Sequence, residues 1–121
     1  YIMSEYDIKP KKIESIGNGS YFYRWDIKEV EKQYDLNEKV IKWECKEVVV
    51  WLPLSANKIT EVVINELWGN GVEQKLLNEY NAFVLGLGKE EYKTNYLNFL
   101  EERERIKTQI DLDYNEWINN K

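Results

Sequence analysis

At Pro53 the period of the sequence changes. Upstream, from about Lys11 to Leu52, apolar and polar residues alternate, the repeat of a strand whose successive side chains point to opposite faces. Downstream, from Ser55, apolar residues return every three or four positions, the repeat of a helix with one buried stripe. Extended segments gathered first and helices afterwards leave no room for alternating βαβ crossovers. The chain is therefore predicted to be α+β: an N-terminal three-stranded antiparallel meander packed on three C-terminal helices, the last one longest.

The extended half divides at two turns. Residues 1–10 show no clear alternation and read as an irregular lead-in ending at Pro10. Gly17-Asn18-Gly19 separates a strand of about Lys11 to Ile16 from one of about Ser20 to Val30, and Asn-Gly is the pair favoured in a type I′ hairpin turn. In the second strand Tyr21, Tyr23, Trp25 and Ile27 share one face, expected on the core. Phe22, Arg24, Asp26 and Lys28 share the other, expected in water. Asp35 and Asn37 mark the next turn, within Tyr34 to Glu38. The third strand runs from about Lys39 to Leu52. Ile41, Trp43, Cys45, Val49 and Trp51 form its presumed core face, and the intrusion of Glu47 suggests either a bulge nearby or a passage from a half-exposed to a doubly covered position. The opposite face is polar at Lys42, Glu44 and Lys46 and turns apolar at Val48, Val50 and Leu52.

Ser55 is placed to cap the first helix, whose stripe is Ile59, Val62, Val63 and Leu67. Gly69-Asn70-Gly71 stops it. Asn70, with Glu73 three residues on, has the spacing of a capping box for a second helix carrying Val72, Leu76, Leu77, Tyr80, Phe83 and Val84. Gly86-Leu87-Gly88 ends that one. The longest helix is expected over about Lys89 to Leu112, with Tyr92, Tyr96, Phe99, Leu100, Ile106 and Ile110 as its stripe and a Glu101–Arg105 ion pair on its surface. Residues 113–121 read as a polar tail anchored by Trp117-Ile118. Residues 1–121 together suit one domain.

Most catalytic devices are excluded by what the chain lacks. It has no histidine, which removes the commonest general base and every Ser-His or Cys-His arrangement. Neither copy of "GNG" has the context of a phosphate loop, and "GLG" follows a helix where a dinucleotide fingerprint would follow a strand. Glu101, Glu102 and Glu104 read as a solvated charge run. Asp111 and Asp113 lack an EF-hand pattern and are not read as a metal site. The one cysteine, Cys45, is expected buried and inert. No catalytic, cofactor-binding or metal-ligating residue is assigned, no cofactor or small-molecule substrate is expected, and the chain reads as a non-enzyme.

Charge and aromatic content bear on partners. A net charge of −5 and a pI near 4.9 oppose direct nucleic-acid binding. They leave room for an acidic inhibitor that mimics nucleic acid and blocks a host protein. No apolar run of about 20 residues suggests a membrane span. The start at Tyr1 shows no leader pattern and suggests that the native N-terminus is missing. With a single cysteine, the expected location is the cytoplasm. Five Trp, nine Tyr and three Phe make a large apolar core possible. Trp25, Trp43 and Trp51 could stack sugars or bases in a small sugar-binding or hydrolytic module. The nearest cations, Arg24, Lys28, Lys42 and Lys46, fall on the opposite face from Trp25 and Trp43, so core packing is the preferred reading. Phe22, Tyr34, Trp68 and Trp117 fall off the stripes or at element ends and form the candidate protein-binding surface.

The run "GNGSYFYRWDI", then "KVIKWECKEVVVW", "ITEVVINELW", "LLNEYNAFVLG" and "YLNFLEERERIK" resembles small uncharacterised proteins encoded by phages and prophages of gut bacteria. The resemblance spans residues 17–110 and carries no catalytic residues. It implies an accessory or virion-associated protein, in the host cytoplasm or the virion. The leading expectation is a non-enzymatic interaction or assembly protein that binds a protein partner or self-associates through its long helix or an open sheet edge.

Overall fold

The computed structural model describes residues 1–69 and 71–121. Seven elements follow one another: β1 (Ile2–Tyr6), β2 (Ile13–Ser15), β3 (Ser20–Asp35), β4 (Glu38–Trp51), α1 (Ala56–Trp68), α2 (Val72–Val84) and α3 (Glu90–Asn119). The α+β order stands, with the last helix the longest. The sheet has four strands rather than three, antiparallel, in the order β1-β4-β3-β2. The additional strand is β1, which the sequence left as lead-in. It pairs with β4 from Ile2↔Glu47 to Tyr6↔Trp43, a partner some forty residues away that no local pattern announces.

The turns form for the expected reason but not in the expected geometry. Asn18 is not in the left-handed region, so the connection is not type I′. Positive φ falls on the flanking glycines instead, +94° at Gly17 and +90° at Gly19. Asn18 Oδ1 accepts from the Ser20 amide at 3.2 Å, an Asx-type closure that needs no left-handed asparagine. At the far end Leu36-Asn37 joins Asp35 to its partner Glu38, and Asp35 Oδ1 accepts from the Leu36 amide at 2.7 Å.

The bulge lies beside Glu47 as expected, but on β3 and not on β4, one pair beyond Arg24 and Glu47. Trp25 pairs with Lys46 and Lys28 with Glu44, so β3 spends one more residue than β4 over this stretch. Asp26 takes φ +50° to absorb it. β4 keeps its strict alternation. Tyr23 opposite Val48 and Tyr21 opposite Val50 therefore select the inner face of the sheet. The core cluster joins Ile13, Tyr23, Val48 and Val50 to Ile59 and Val63 of α1 and Ile106 and Ile110 of α3, with Tyr21 and Trp25 packed against it. The face of β4 presumed to be core, carrying Ile41, Trp43, Cys45, Val49 and Trp51, is the outer one. Only the register with β3 decides between two faces that are both partly apolar.

Ser55 caps α1 as expected, its hydroxyl accepting from the Lys58 amide at 3.0 Å, and Gly69 ends it at φ +73°. The expected Asn70 cap lies outside the described residues; Gly71 occupies the position before α2 at φ +85°. α2 packs along the N-terminal half of α3, where Tyr80 stacks on Tyr96 at 5.1 Å. α3 runs seven residues past the predicted end at Leu112, so the "polar tail" is helix. Asp113 is buried in it. The Glu101–Arg105 pair does not form; Arg105 bonds Glu102, three residues back.

Candidate functional site: an open sheet face and a lysine-rimmed cleft

The four residues proposed from sequence as one protein-binding surface do not meet. Phe22 lies on the outer face of the sheet, half-buried against the Arg24 guanidinium at 4.6 Å. Tyr34 is exposed near the tip of the β3–β4 hairpin, its hydroxyl donating to Glu5 at 3.2 Å. Trp68 packs edge-on against Phe99 at 5.0 Å. Trp117 packs edge-on against Tyr21 at 5.7 Å, under Lys121. Trp68 meets α3 at Phe99, and Trp117 lies in α3 itself, 18 residues further on or about 27 Å along its axis at 1.5 Å per residue. Both serve the core.

The outer face carries a buried charge that the alternation had placed in water. Arg24 is only 1% exposed and stands directly across from Glu47. Its Nε donates to Glu47 Oε2 at 2.9 Å, Nη1 to Glu14 at 2.9 Å and to the Lys11 carbonyl at 3.0 Å, and Nη2 to the Tyr6 hydroxyl at 3.0 Å. Tyr6 in turn donates to Glu47. The guanidinium plane sits between the Tyr6 and Phe22 rings, at 4.7 and 4.6 Å. Burial alone would lower the Arg24 pKa; hydrogen bonds to Glu47, Glu14 and Tyr6 reverse that and raise it. A planar fork with five donors can be satisfied this way where a lysine cannot.

What shields Arg24 is the link between β1 and β2. These strands are opposite edges of the sheet, so residues 7–12 must cross it. Lys9 Nζ lies 5.7 Å from the Trp43 ring and the Lys11 carbonyl meets Arg24, which places the crossing on the outer face. Cys45 is sealed beneath it at 0% exposure, and burial first, then Glu47, pushes its thiol pKa up. Beyond the crossing the same face is bare. Trp51 is 56% exposed and Val49 41%, with Ile2 exposed nearby on β1.

The cleft lies on the inner side, where β3 outruns its neighbour. β2 has only three residues, so past Lys12 the β2 side of β3 has no strand partner, and the bulge at Asp26 bends that bare edge beside α3. A cavity of about 330 Å³ opens there. Trp25, Ile27, Val63 and Ile106 form its apolar walls. Beneath, Asp113 is held by three donors: Tyr23 Oη at 2.6 Å, Gln109 Nε2 at 2.9 Å and Lys12 Nζ at 3.1 Å. Burial, and then the bond to Asp113, raise the Tyr23 pKa well above the ordinary tyrosine value. Lys12 and Arg105 stand at the rim. Across Lys12 a second hollow of about 500 Å³ runs between residues 11–15 and the end of α3.

Burial and the bond to Asp113 favour the protonated form of the Tyr23 hydroxyl, and Asp113 accepts from three side-chain donors. Among the described residues no group of three or more acidic or sulfur ligands could hold a metal ion, and no helix is long and apolar enough to cross a membrane. The signal for Arg24 and Asp113 was absent from the sequence: each is a charged residue in an ordinary position, buried by partners far away in the chain. No protein-family model, curated protein or solved structure matches this chain.

Proposed function

We propose that this protein is a non-enzymatic interaction and assembly module that docks through the bare outer face of its sheet. In the setting the sequence resemblance implies, it is an accessory component of a phage or prophage. The observation that carries this reading is the position of Trp51 and Val49, exposed side by side on a face whose floor is locked by the Arg24–Glu47 pair. Large rigid side chains held open to solvent on an immobile base supply contact area at little ordering cost. The expected routes to self-association, the long helix or a sheet edge, are less available, because α3 is packed against both α1 and α2 and the edge strands are short.

The occupant that fits is a second copy. A flat apolar sheet face needs a flat apolar counterpart, and the same face on another molecule is one, packed sheet on sheet at about 10 Å. Sedimentation equilibrium on the native chain and on Trp51→Glu tests this. A dimer in the native chain that dissociates in the variant, with the melting temperature of the dissociated protein little changed, is the expected result. A native chain that stays monomeric at millimolar concentration, or a dimer indifferent to Trp51→Glu, overturns it.

A further inference from the structure

We infer that the cleft between the bulged edge of β3 and α3 is a binding site for a small organic carboxylate with a flat or short apolar body. It lies on the opposite side of the sheet from the proposed docking face and does not depend on it.

The cavity matches that ligand in size, wall and rim. At about 330 Å³ it sits at the small end of ligand pockets, which run from about 300 to 1,000 Å³, so it suits one ring system rather than a polymer. Its walls are apolar, and Trp25 is braced by a stack on Tyr23 at 5.9 Å. Its rim is cationic on a chain of net charge −5. The two carboxylates that line it are both paired with cations, Asp26 with Lys46 at 2.9 Å and Asp113 with Lys12 at 3.1 Å, which offsets part of their repulsion toward a third.

Buried Asp113 explains why the site is prepared. Its side chain is 3% exposed, whereas that of Lys12 is 49% exposed. The carboxylate therefore fixes Lys12 by one of its three ammonium protons and leaves the others toward solvent at the cleft mouth. Arg105 is fixed likewise by Glu102, through Nε and Nη2, which leaves Nη1 uncommitted. Two oriented cations over an apolar pocket favour an anion with a hydrophobic body over either part alone.

Isothermal titration calorimetry of the full chain with benzoate, naphthoate and octanoate, each against its neutral amide, tests the assignment. At least one acid is expected to bind with unit stoichiometry, and its amide at least tenfold more weakly. Lys12→Met is expected to weaken the acid about tenfold and leave the amide unchanged. Because that variant also loosens Asp113, Ile27→Trp serves as a second: an indole at the half-buried wall should fill the cavity and abolish binding while the fold, read by circular dichroism, persists. No heat from any acid at millimolar concentration, equal affinity of acid and amide, or undiminished binding by a folded Ile27→Trp would each overturn the site.

Discussion

The Tyr23 hydroxyl donates to Asp113 Oδ2 across 2.6 Å, joining residues 90 positions apart. It is the polar rivet between the central strand β3 and the last third of α3, and it stands next to the apolar contacts of Val63, Ile106 and Ile110. A hydrogen bond to a buried charge contributes about 1.5–3 kcal/mol. Tyr23→Phe is expected to lower unfolding free energy by about that amount, measured by urea denaturation, and to raise amide exchange selectively over residues 113–119.

The same bond makes stability fall in alkali. Burial and the Asp113 bond raise the Tyr23 pKa in the folded state, whereas the unfolded chain releases this proton near the ordinary value of about 10. The contribution is fully present below pH ~10 and is lost as the pH climbs toward the folded-state value, because only the unfolded state has then given up its proton. Thermal melts between pH 9 and pH 12 are expected to fall more steeply for the native chain than for Tyr23→Phe. Equal slopes would mean that Tyr23 ionises freely while folded.

Arg24 and Glu47 face one another across β3 and β4, and removing one partner strands the other in a dry site. Glu47→Leu is expected to cost about 3–5 kcal/mol, the usual penalty for breaking a buried pair. Arg24→Lys keeps the charge but loses the fork that reaches Glu47, Glu14, Tyr6 and the Lys11 carbonyl together, so it is expected to destabilise by several kcal/mol as well. If chemical denaturation found Arg24→Lys neutral, the fork would not matter.

Cys45 reports on the crossing of residues 7–12. Its thiol is sealed and its pKa pushed up by burial, so a thiol reagent such as dithionitrobenzoate is expected to react only through local or global opening. Replacing Pro10 with Gly loosens the crossing and is expected to speed that reaction severalfold, with little change in far-ultraviolet circular dichroism. A fast reaction in the native chain would place the crossing elsewhere.

Gly88 lets α2 and α3 turn on each other. A Cβ there would lie 2.7 Å from Tyr92 Cδ2 and 2.9 Å from the Phe83 backbone nitrogen, and backbone cannot step aside. Gly88→Ala is expected to cost about 1–3 kcal/mol by overpacking, read as a drop in melting temperature. By contrast, nothing stands within 4 Å of a Cβ built on Gly69, so alanine there meets only the strain of its positive φ.

The helices were legible because their signals are local. The Ser55 hydroxyl reaches an amide three residues on, and Gly69 supplies the left-handed residue that releases the chain. Asp113 defeated the same reasoning at the other end of α3. A carboxylate followed by Asn115, Glu116 and Asn119 looks like a solvated tail, and only Tyr23, Lys12 and Gln109 make its burial tolerable. β1 was missed because a five-residue strand shows too little alternation to register without its partner. Of the candidate surface only Phe22 falls beside the proposed docking face. Trp51 and Val49 were visible as aromatic and β-branched residues but were assigned to the core.

What the amino-acid order settled alone is where the main turns fall and where the chain passes from extended segments to helices, though not the edge strand β1 or the last turns of α3. Caps, glycine turns and periodicity act between residues a few positions apart. Which face of β4 meets the helices, which edges the sheet leaves bare, and where the cleft opens were decided only when β3 paired with β4 in one register and bulged at Asp26. A strand with two partly apolar faces has no preference until a neighbour buries one, and that choice turned Trp43 and Trp51 outward and left Arg24 to be covered on the outer face by Tyr6 and the crossing of residues 7–12.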